Sequence, residues 1–284
     1  MSDLSELRPR LFGIAYRILG TIDDAEDIVQ SAYVRYEEHR DTEFHNPGGW
    51  LAAVTARLAI DRVRALKRKR EDYVGVWLPE PIVEDQQDPA AVTTLADDLA
   101  IGFLRVLERL GPEERTALLL HDVFNYSHSE ISVILYRSEE AVRQMVSRAR
   151  RRVHEERPRL TIDSRKASAL VERFVRAVHD ANLEELQMVL ATDVVVVADG
   201  GGKVNARPGP IAGVENVVPL LVGPHGLWNR MRLQHLAVNG LPGAALLRNQ
   251  KLVAVVSLDF SASQIRAIDV VLNPDKLSRV NIRN

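Results

Sequence analysis

The chain of 284 residues has no cysteine. That excludes disulfides, thiolate zinc sites and thiol redox chemistry, and it fits a reducing compartment. Long apolar runs are missing too. The N-terminus, MSDLSELRPRL, carries charges where a secretory signal needs an apolar core. No stretch is long and apolar enough to span a bilayer. The reading is a cytoplasmic protein with no membrane partner. An excess of one charge sign is also absent: 37 basic against 39 acidic residues leave a formal charge of −2. The chain is therefore not a globally basic nucleic-acid binder, and any DNA contact must come from local patches. Eight histidines are scattered, with no H-E-x-x-H and no metal-ligand spacing. Neither G-x-S-x-G nor G-x-G-x-x-G occurs. No metal, cofactor or catalytic residue is expected.

What is present centres on residues 125–152, NYSHSEISVILYRSEEAVRQMVSRARR. Ser127 and Glu130 have capping-box spacing, and Ile131, Ile134 and Leu135 give one apolar stripe. Ser138 is a natural N-cap for a second helix, with Glu139 and Glu140 in its first turn. Ala141, Val142, Met145, Val146, Ala149 and Val153 form one face of that helix. Glu140, Arg143, Gln144, Ser147 and Arg151 lie opposite, and these side chains can bond base edges and phosphates in a major groove. Arg148, Arg150, Arg151 and Arg152 can track a phosphate backbone. An ordinary hairpin with a solvated Arg-rich face is the alternative. It is disfavoured because the first helix is too short to stand alone and the outer face has little Glu–Lys pairing.

Upstream, Leu4 to Leu19 form an amphipathic pattern that stops at Gly20. Asp23 and Glu26 suggest the start of a second helix. Ala25, Ile28, Val29, Ala32, Tyr33 and Tyr36 are its buried side, and Glu26, Asp27, Gln30, Arg35, Glu37 and Glu38 read as a solvated face. After Asn46-Pro47-Gly48-Gly49, a helix from Trp50 to Val63 carries Arg57, Arg62 and Arg64 into Lys67-Arg68-Lys69-Arg70. A basic helix end often only complements the dipole, though an aromatic followed by cations also suits single-stranded DNA. Residues 71–95 are rich in Pro and acidic residues and read as a linker. Trp77-Leu78-Pro79-Glu80-Pro81 is costly to leave exposed there, so it should dock. Leu99, Phe103, Val106, Leu107 and Leu110 mark another helix before Gly111-Pro112.

Beyond Arg165, two helical patterns precede β-branched runs at 194–197, 251–260 and 265–272, with weaker strands at 233–238 and 244–247 and a turn at 240–243. This implies an α+β unit of helices followed by antiparallel strands on a curved sheet. Asp199-Gly200-Gly201-Gly202-Lys203 reads as a hairpin turn rather than a phosphate cradle, because no G-x-x-x-x-G-K-[ST] pattern is present. Asp199, Asp259 and Asp269 could face a cone-shaped pocket and act as a base. The plainer reading of each is a solvated or salt-bridged surface group.

Taken in order, Asp23-Asp24-Ala25-Glu26-Asp27-Ile28-Val29-Gln30, Asn46-Pro47-Gly48-Gly49-Trp50-Leu51, Thr55-Ala56-Arg57-Leu58-Ala59-Ile60-Asp61 and Leu110-Gly111-Pro112-Glu113-Glu114-Arg115 ahead of the helix-turn-helix resemble regions two and four of extracytoplasmic-function sigma factors. The strings Trp77–Pro81, Asp199–Val204 and Asn273-Pro274-Asp275-Lys276-Leu277 resemble signatures of a subgroup with a fused SnoaL-like domain of the NTF2-like α+β cone fold. The resemblance implies a multidomain protein: all-α region two over 1–70, the linker over 71–95, region four over 96–158 and the fused domain over 165–284.

It further implies core RNA polymerase and promoter DNA as partners, with the largest-subunit clamp helices and the flap region as docking points. Asp24, Asp27, Gln30 and Glu37 would bind core polymerase, which replaces the solvated-face reading. Phe44, His45, Asn46, Trp50, Arg57 and Arg62 would engage the downstream element where strands separate. Ser138, Glu140, Arg143, Gln144, Ser147, Arg148 and Arg151 would read the upstream element. Trp77, Leu78, Pro79, Asp199, Gly200, Lys203, Asn273, Pro274 and Asp275 would join linker to fused domain. That domain would regulate in cis, with no separate anti-sigma protein and with room for a small ligand in its pocket. The alternative is an active isomerase, cyclase or hydrolase on the same cone, or a ligand sensor.

Overall fold

The computed structural model describes residues 4–39, 44, 46–83, 100–156, 164–223, 228, 231–261 and 263–282. The chain divides into two compact units, one of 1–71 with 104–158 and one of 72–103 with 159–284.

The first unit is helical. After a 3₁₀ turn at Leu4–Leu7 come α1 (Arg8–Leu19), α2 (Ile22–Glu38) and α3 (Pro47–Glu71). Gly20 ends α1 in the left-handed conformation, at φ 72°, and donates its N–H to the Tyr16 carbonyl. Only glycine adopts that conformation without steric cost. Thr21, not Asp23, is the N-cap residue of α2. Leu11, Ile14, Ile18, Val29, Leu51 and Ala59 are among the residues that fill the centre of this bundle. Helix α4 (Ile101–Leu107) crosses the division between the units. It is followed in the first unit by α5 (Pro112–Asp122), α6 (His128–Leu135) and α7 (Glu139–Glu156). The α6 capping box is complete, with Ser127 and Glu130 each bonded to the other's backbone N–H. Tyr136, left-handed at φ 53°, turns the chain between α6 and α7.

Buried charge ties this unit together. Arg115 of α5, 2% exposed, donates to the Ile18 carbonyl at 2.6 Å and pairs with Glu108 at 2.7 Å. Arg70 pairs with the same Glu108 and donates to the Leu19 carbonyl. The C-terminal carbonyls of α1 thus meet two guanidinium groups, which complement the negative end of the helix.

The second unit is α+β. Helices α8 (Ser164–His179) and α9 (Leu183–Val189) precede β1 (Leu190–Asp199) and β2 (Ile211–Ala212). Then follow α10 (Val214–Val222), β3 (Arg232–Val238), β4 (Leu241–Arg248), β5 (Lys251–Phe260), β6 (Ile265–Val271) and α11 (Pro274–Leu277). The six strands run in the order β2-β1-β6-β5-β4-β3. β1 and β6 pair in parallel, so the expectation of a purely antiparallel sheet is corrected. Helix α10 has no counterpart in the sequence reading, because its run of valines and its internal Pro219 disguise the helical period.

Strand alternation separates two faces. Val194, Val196, Val256, Leu258, Ile268 and Val270 pack with Phe174, Val217, Leu221 and Trp228 from the helical side. Val197, Val255 and Val271 face the other way, where Leu78 and Ile101 cover them together with Leu277, Val280 and Ile282. That second face places the linker.

Candidate functional site

Three sites can be built from the described residues. The first is the outer face of α7. Val142, Met145, Val146, Ala149 and Val153 are buried against the unit. That burial leaves Ser138, Glu140, Arg143, Gln144, Ser147, Arg148 and Arg151 exposed. Ser138 accepts the Ala141 N–H at 3.2 Å and so caps the helix. Arg143 pairs one turn back with Glu139 at 2.8 Å, and Gln144 reaches Glu140 at 3.4 Å. The expected arginine run divides by direction. Arg150 grips Asp122 through Nε at 2.9 Å, Arg152 pairs with Glu114 at 2.9 Å, and Arg148 lies 3.6 Å from the same Glu114. Arg150 and Arg152 fasten α7 to α5, while Arg151 has no such partner among the described residues.

The second site lies on α2 and α3. Asp27, Gln30 and Glu37 are exposed on one face of α2. Val34 lies between them, 52% exposed. The sequence reading missed Val34, whose signal is an apolar residue at the i, i+3, i+7, i+10 spacing of the acidic face. Asp24 differs: it accepts from Thr21 at 2.7 Å and from Arg62 at 2.8 and 2.6 Å, holding α2 to α3. Two residues assigned to different partners are thereby bound to each other. Trp50 packs edge-on and tilted in an aromatic cluster, its ring centroid 5.0 Å from that of Phe44 and 5.8 Å from that of Tyr36. Asn46 accepts the Gly49 N–H at 2.9 Å and caps α3. His45 lies outside the described residues. Arg57 donates to the Ile134 and Val133 carbonyls at 2.8 and 2.9 Å, and its guanidinium sits 4.1 Å over the Tyr136 ring. It therefore caps the C-terminal end of α6. Arg64 and Arg137 share Glu113, and the hydrogen bond from Arg137 is the chief reason that the Glu113 carboxyl titrates below its ordinary range.

The third site joins the linker to the C-terminal sheet. Leu78 is fully buried and Pro79 is buried beside it, while Trp77 is half-buried. Asp199, at the end of β1, accepts the Leu78 N–H at 2.9 Å, and Lys276 of α11 donates to the Leu78 carbonyl. Lys276 and Asp199 are themselves 2.7 Å apart, 6% and 0% exposed. Both backbone groups of one linker residue are thus satisfied by one buried ion pair. The Lys276 ammonium also sits 4.2 Å over the Trp77 ring. Tyr73 donates to Asp199 at 2.5 Å and accepts from Asn273 at 2.9 Å. Burial, and then the bond to Asp199, raise its phenol well above the ordinary value.

Further along the linker, Ile82 exchanges bonds with Asn239, and Val83 bridges Val238. The Asp199–Lys203 turn supports this arrangement. Gly201, at φ +58°, leaves no room for a Cβ, which would lie 2.3 Å from Asn273 Nδ2. At Gly200 a Cβ would lie 2.2 Å from the Val204 carbonyl oxygen. The turn is not a tight hairpin, because the antiparallel partner of β1 is the distant pair Ile211–Ala212. Lys203 pairs with exposed Asp275 at 2.6 Å, and Pro274 is exposed. Lys276, which makes the central contact, was not among the expected site residues.

Asp259 and Asp269 share the sheet face of Asp199 and are 6% and 2% exposed. They are not solvated surface groups, and they do not face the cone. They lie against Gly102, where a Cβ would come within 2.6 Å of Asp259 Oδ2. The cone itself holds a cavity of about 160 Å³, lined by residues including Val196, Leu221, Trp228, Leu246 and Val270.

The profile of sigma-70 region 2 matches residues 4–69, and that of sigma-70 region 4 matches residues 102–153. The helical elements therefore carry the two modules of a promoter-directing initiation factor. The ECF RNA polymerase sigma factor SigJ of Mycobacterium tuberculosis is 34% identical over 98% of this chain and 93% of its own length. The probable ECF RNA polymerase sigma factor SigI of the same organism is 29% identical over 95% and 92%. The crystal structure of Mycobacterium tuberculosis SigJ superposes with a TM-score of 0.80 at 31% identity, over 99% of this chain and 100% of that one. The chain belongs to the extracytoplasmic-function RNA polymerase sigma factors.

Proposed function

We propose that this sigma factor, which directs RNA polymerase to promoters, is regulated in cis by its C-terminal domain through the linker. The single observation that carries the reading is the Leu78 contact: the buried Asp199–Lys276 pair takes both the N–H and the carbonyl of one linker residue. A segment held this way is unavailable to any other partner. Core polymerase then competes for the linker, and the equilibrium shifts only by the difference in affinity for the two states. No separate anti-sigma protein is required.

Within the same reading, Arg143 and Gln144 read base edges of the upstream element, and Arg148 and Arg151 hold phosphates. Asp27, Gln30, Val34 and Glu37 form the core-polymerase face, an apolar spot rimmed by acids. Phe44, Asn46 and Trp50 meet the melted strand. Arg57 and Arg62 join them only after leaving the α6 carbonyls and Asp24. Among the described residues the cavity wall's polar side chains are Asn205, Arg207, Arg248 and the Trp228 indole, which offer no carboxylate or imidazole base for an isomerase or hydrolase.

The test is reconstituted transcription with core polymerase, comparing the full chain with one ending at Arg159. Promoter-specific initiation by both, with different output, is expected. Equal output would remove the regulatory role, and no initiation by either chain would remove the promoter-directing one.

A further inference from the structure

The cone cavity is walled by apolar side chains from β1, β4, β6 and α10, with Trp228 closing one side. Among the described lining residues there is no carboxylate and no histidine. Two arginines, Arg207 and Arg248, line it and are exposed to solvent. Neither guanidinium forms an ion pair or hydrogen bond among the described residues. This contrasts with Arg62, Arg64, Arg115, Arg137, Arg150 and Arg152, each of which holds a carboxylate. The nearby acids Asp199, Asp259 and Asp269 lie on the opposite face of the sheet and cannot supply the missing counter-charge. The site thus joins an apolar hollow to two uncompensated guanidinium groups. Arginine is suited to pairing with carboxylates because its planar fork matches their geometry.

We propose that this cavity binds a small organic monoanion, with an apolar body in the hollow and its carboxylate at Arg207 and Arg248. The volume sets the size of the body. A dry cavity of about 150 Å³ admits a benzene ring, and this one measures about 160 Å³. One six-membered ring, or a branched chain of that bulk, therefore fills it.

The experiment uses the full-length protein and phenylacetate as probe, with phenylacetamide as its neutral isostere, both followed by titration calorimetry. Saturable one-to-one binding of phenylacetate is expected, with the amide weaker by about tenfold, the equivalent of one charge-assisted hydrogen bond. The Arg207→Met, Arg248→Met double variant should bind acid and amide alike. Ala198→Leu, which fills the hollow, should bind neither; its circular dichroism melt separates this from misfolding. Absence of phenylacetate binding up to its solubility limit, equal affinity for acid and amide in the wild type, or unchanged binding in folded Ala198→Leu would each overturn the proposal. The titration reads only the cavity, so it succeeds or fails independently of the linker's role.

Discussion

Replacing Lys276 by Met removes the ammonium while keeping most of the side-chain volume. The carboxylate it leaves behind, Asp199, is fully buried. Breaking such a pair from one side costs about 3–5 kcal/mol, because the remaining charge is desolvated without compensation. Here the lower end applies, since Asp199 keeps three donors: Tyr73 at 2.5 Å, the Leu78 N–H at 2.9 Å and the Gly201 N–H at 3.0 Å. Undocking the linker would let water reach Asp199, so the cost falls on the docked state and not on the whole fold. About 3 kcal/mol raises the undocked population roughly a hundredfold. Native-state hydrogen exchange on the full chain reads this directly. The amides of Leu78, Ile82 and Asn239 should exchange about a hundredfold faster, while those of β5 stay protected. Adding Asp199→Asn should restore much of the protection, because losing both charges is far less costly than losing one. Unchanged exchange at Leu78 in Lys276→Met, or a double variant no better than the single one, would refute the latch.

Four further outcomes follow from the helical unit. Arg143→Ala should lose about 1–3 kcal/mol of discrimination between matched and scrambled upstream elements. Arg151→Ala should instead weaken all sequences alike and flatten the salt dependence; a wild-type preference in Arg143→Ala would sink the base-reading role. Asp27→Arg with Glu37→Arg should impair capture of core polymerase without changing the melting of the isolated protein, and undiminished pull-down would count against the α2 face. Glu113 has a folded-state value below its unfolded one, mainly through the Arg137 hydrogen bond. Its contribution is therefore complete above the ordinary carboxylate range and is lost as pH falls through the lowered value. Urea midpoints across acidic pH should fall less steeply for Glu113→Gln than for wild type, and parallel curves would contradict this.

The sequence alone determined the recognition module. Ser127, Glu130 and Ser138 cap through local bonds, and the buried face of α7 follows from helical spacing, so both are written within a few residues. It also specified β5, because a run of β-branched residues suits a strand wherever it packs. Tertiary structure decided everything that depends on which partner a charge finds. Arg150, Arg151 and Arg152 are equivalent as letters, yet two face carboxylates on α5 and one does not. Asp24 and Arg62 became one another's partners across two helices. Asp199, Asp259 and Asp269 could have faced the cone, but strand parity and the parallel β1–β6 register turned Asp199 toward the linker and Asp259 and Asp269 toward Gly102. Lys276 lies within the Asn273–Leu277 string, but nothing local marks it as the buried charge. Its role arises because the end of β1, a four-residue helix and a distant linker converge, and a buried charge is tolerated only where the fold brings it a partner.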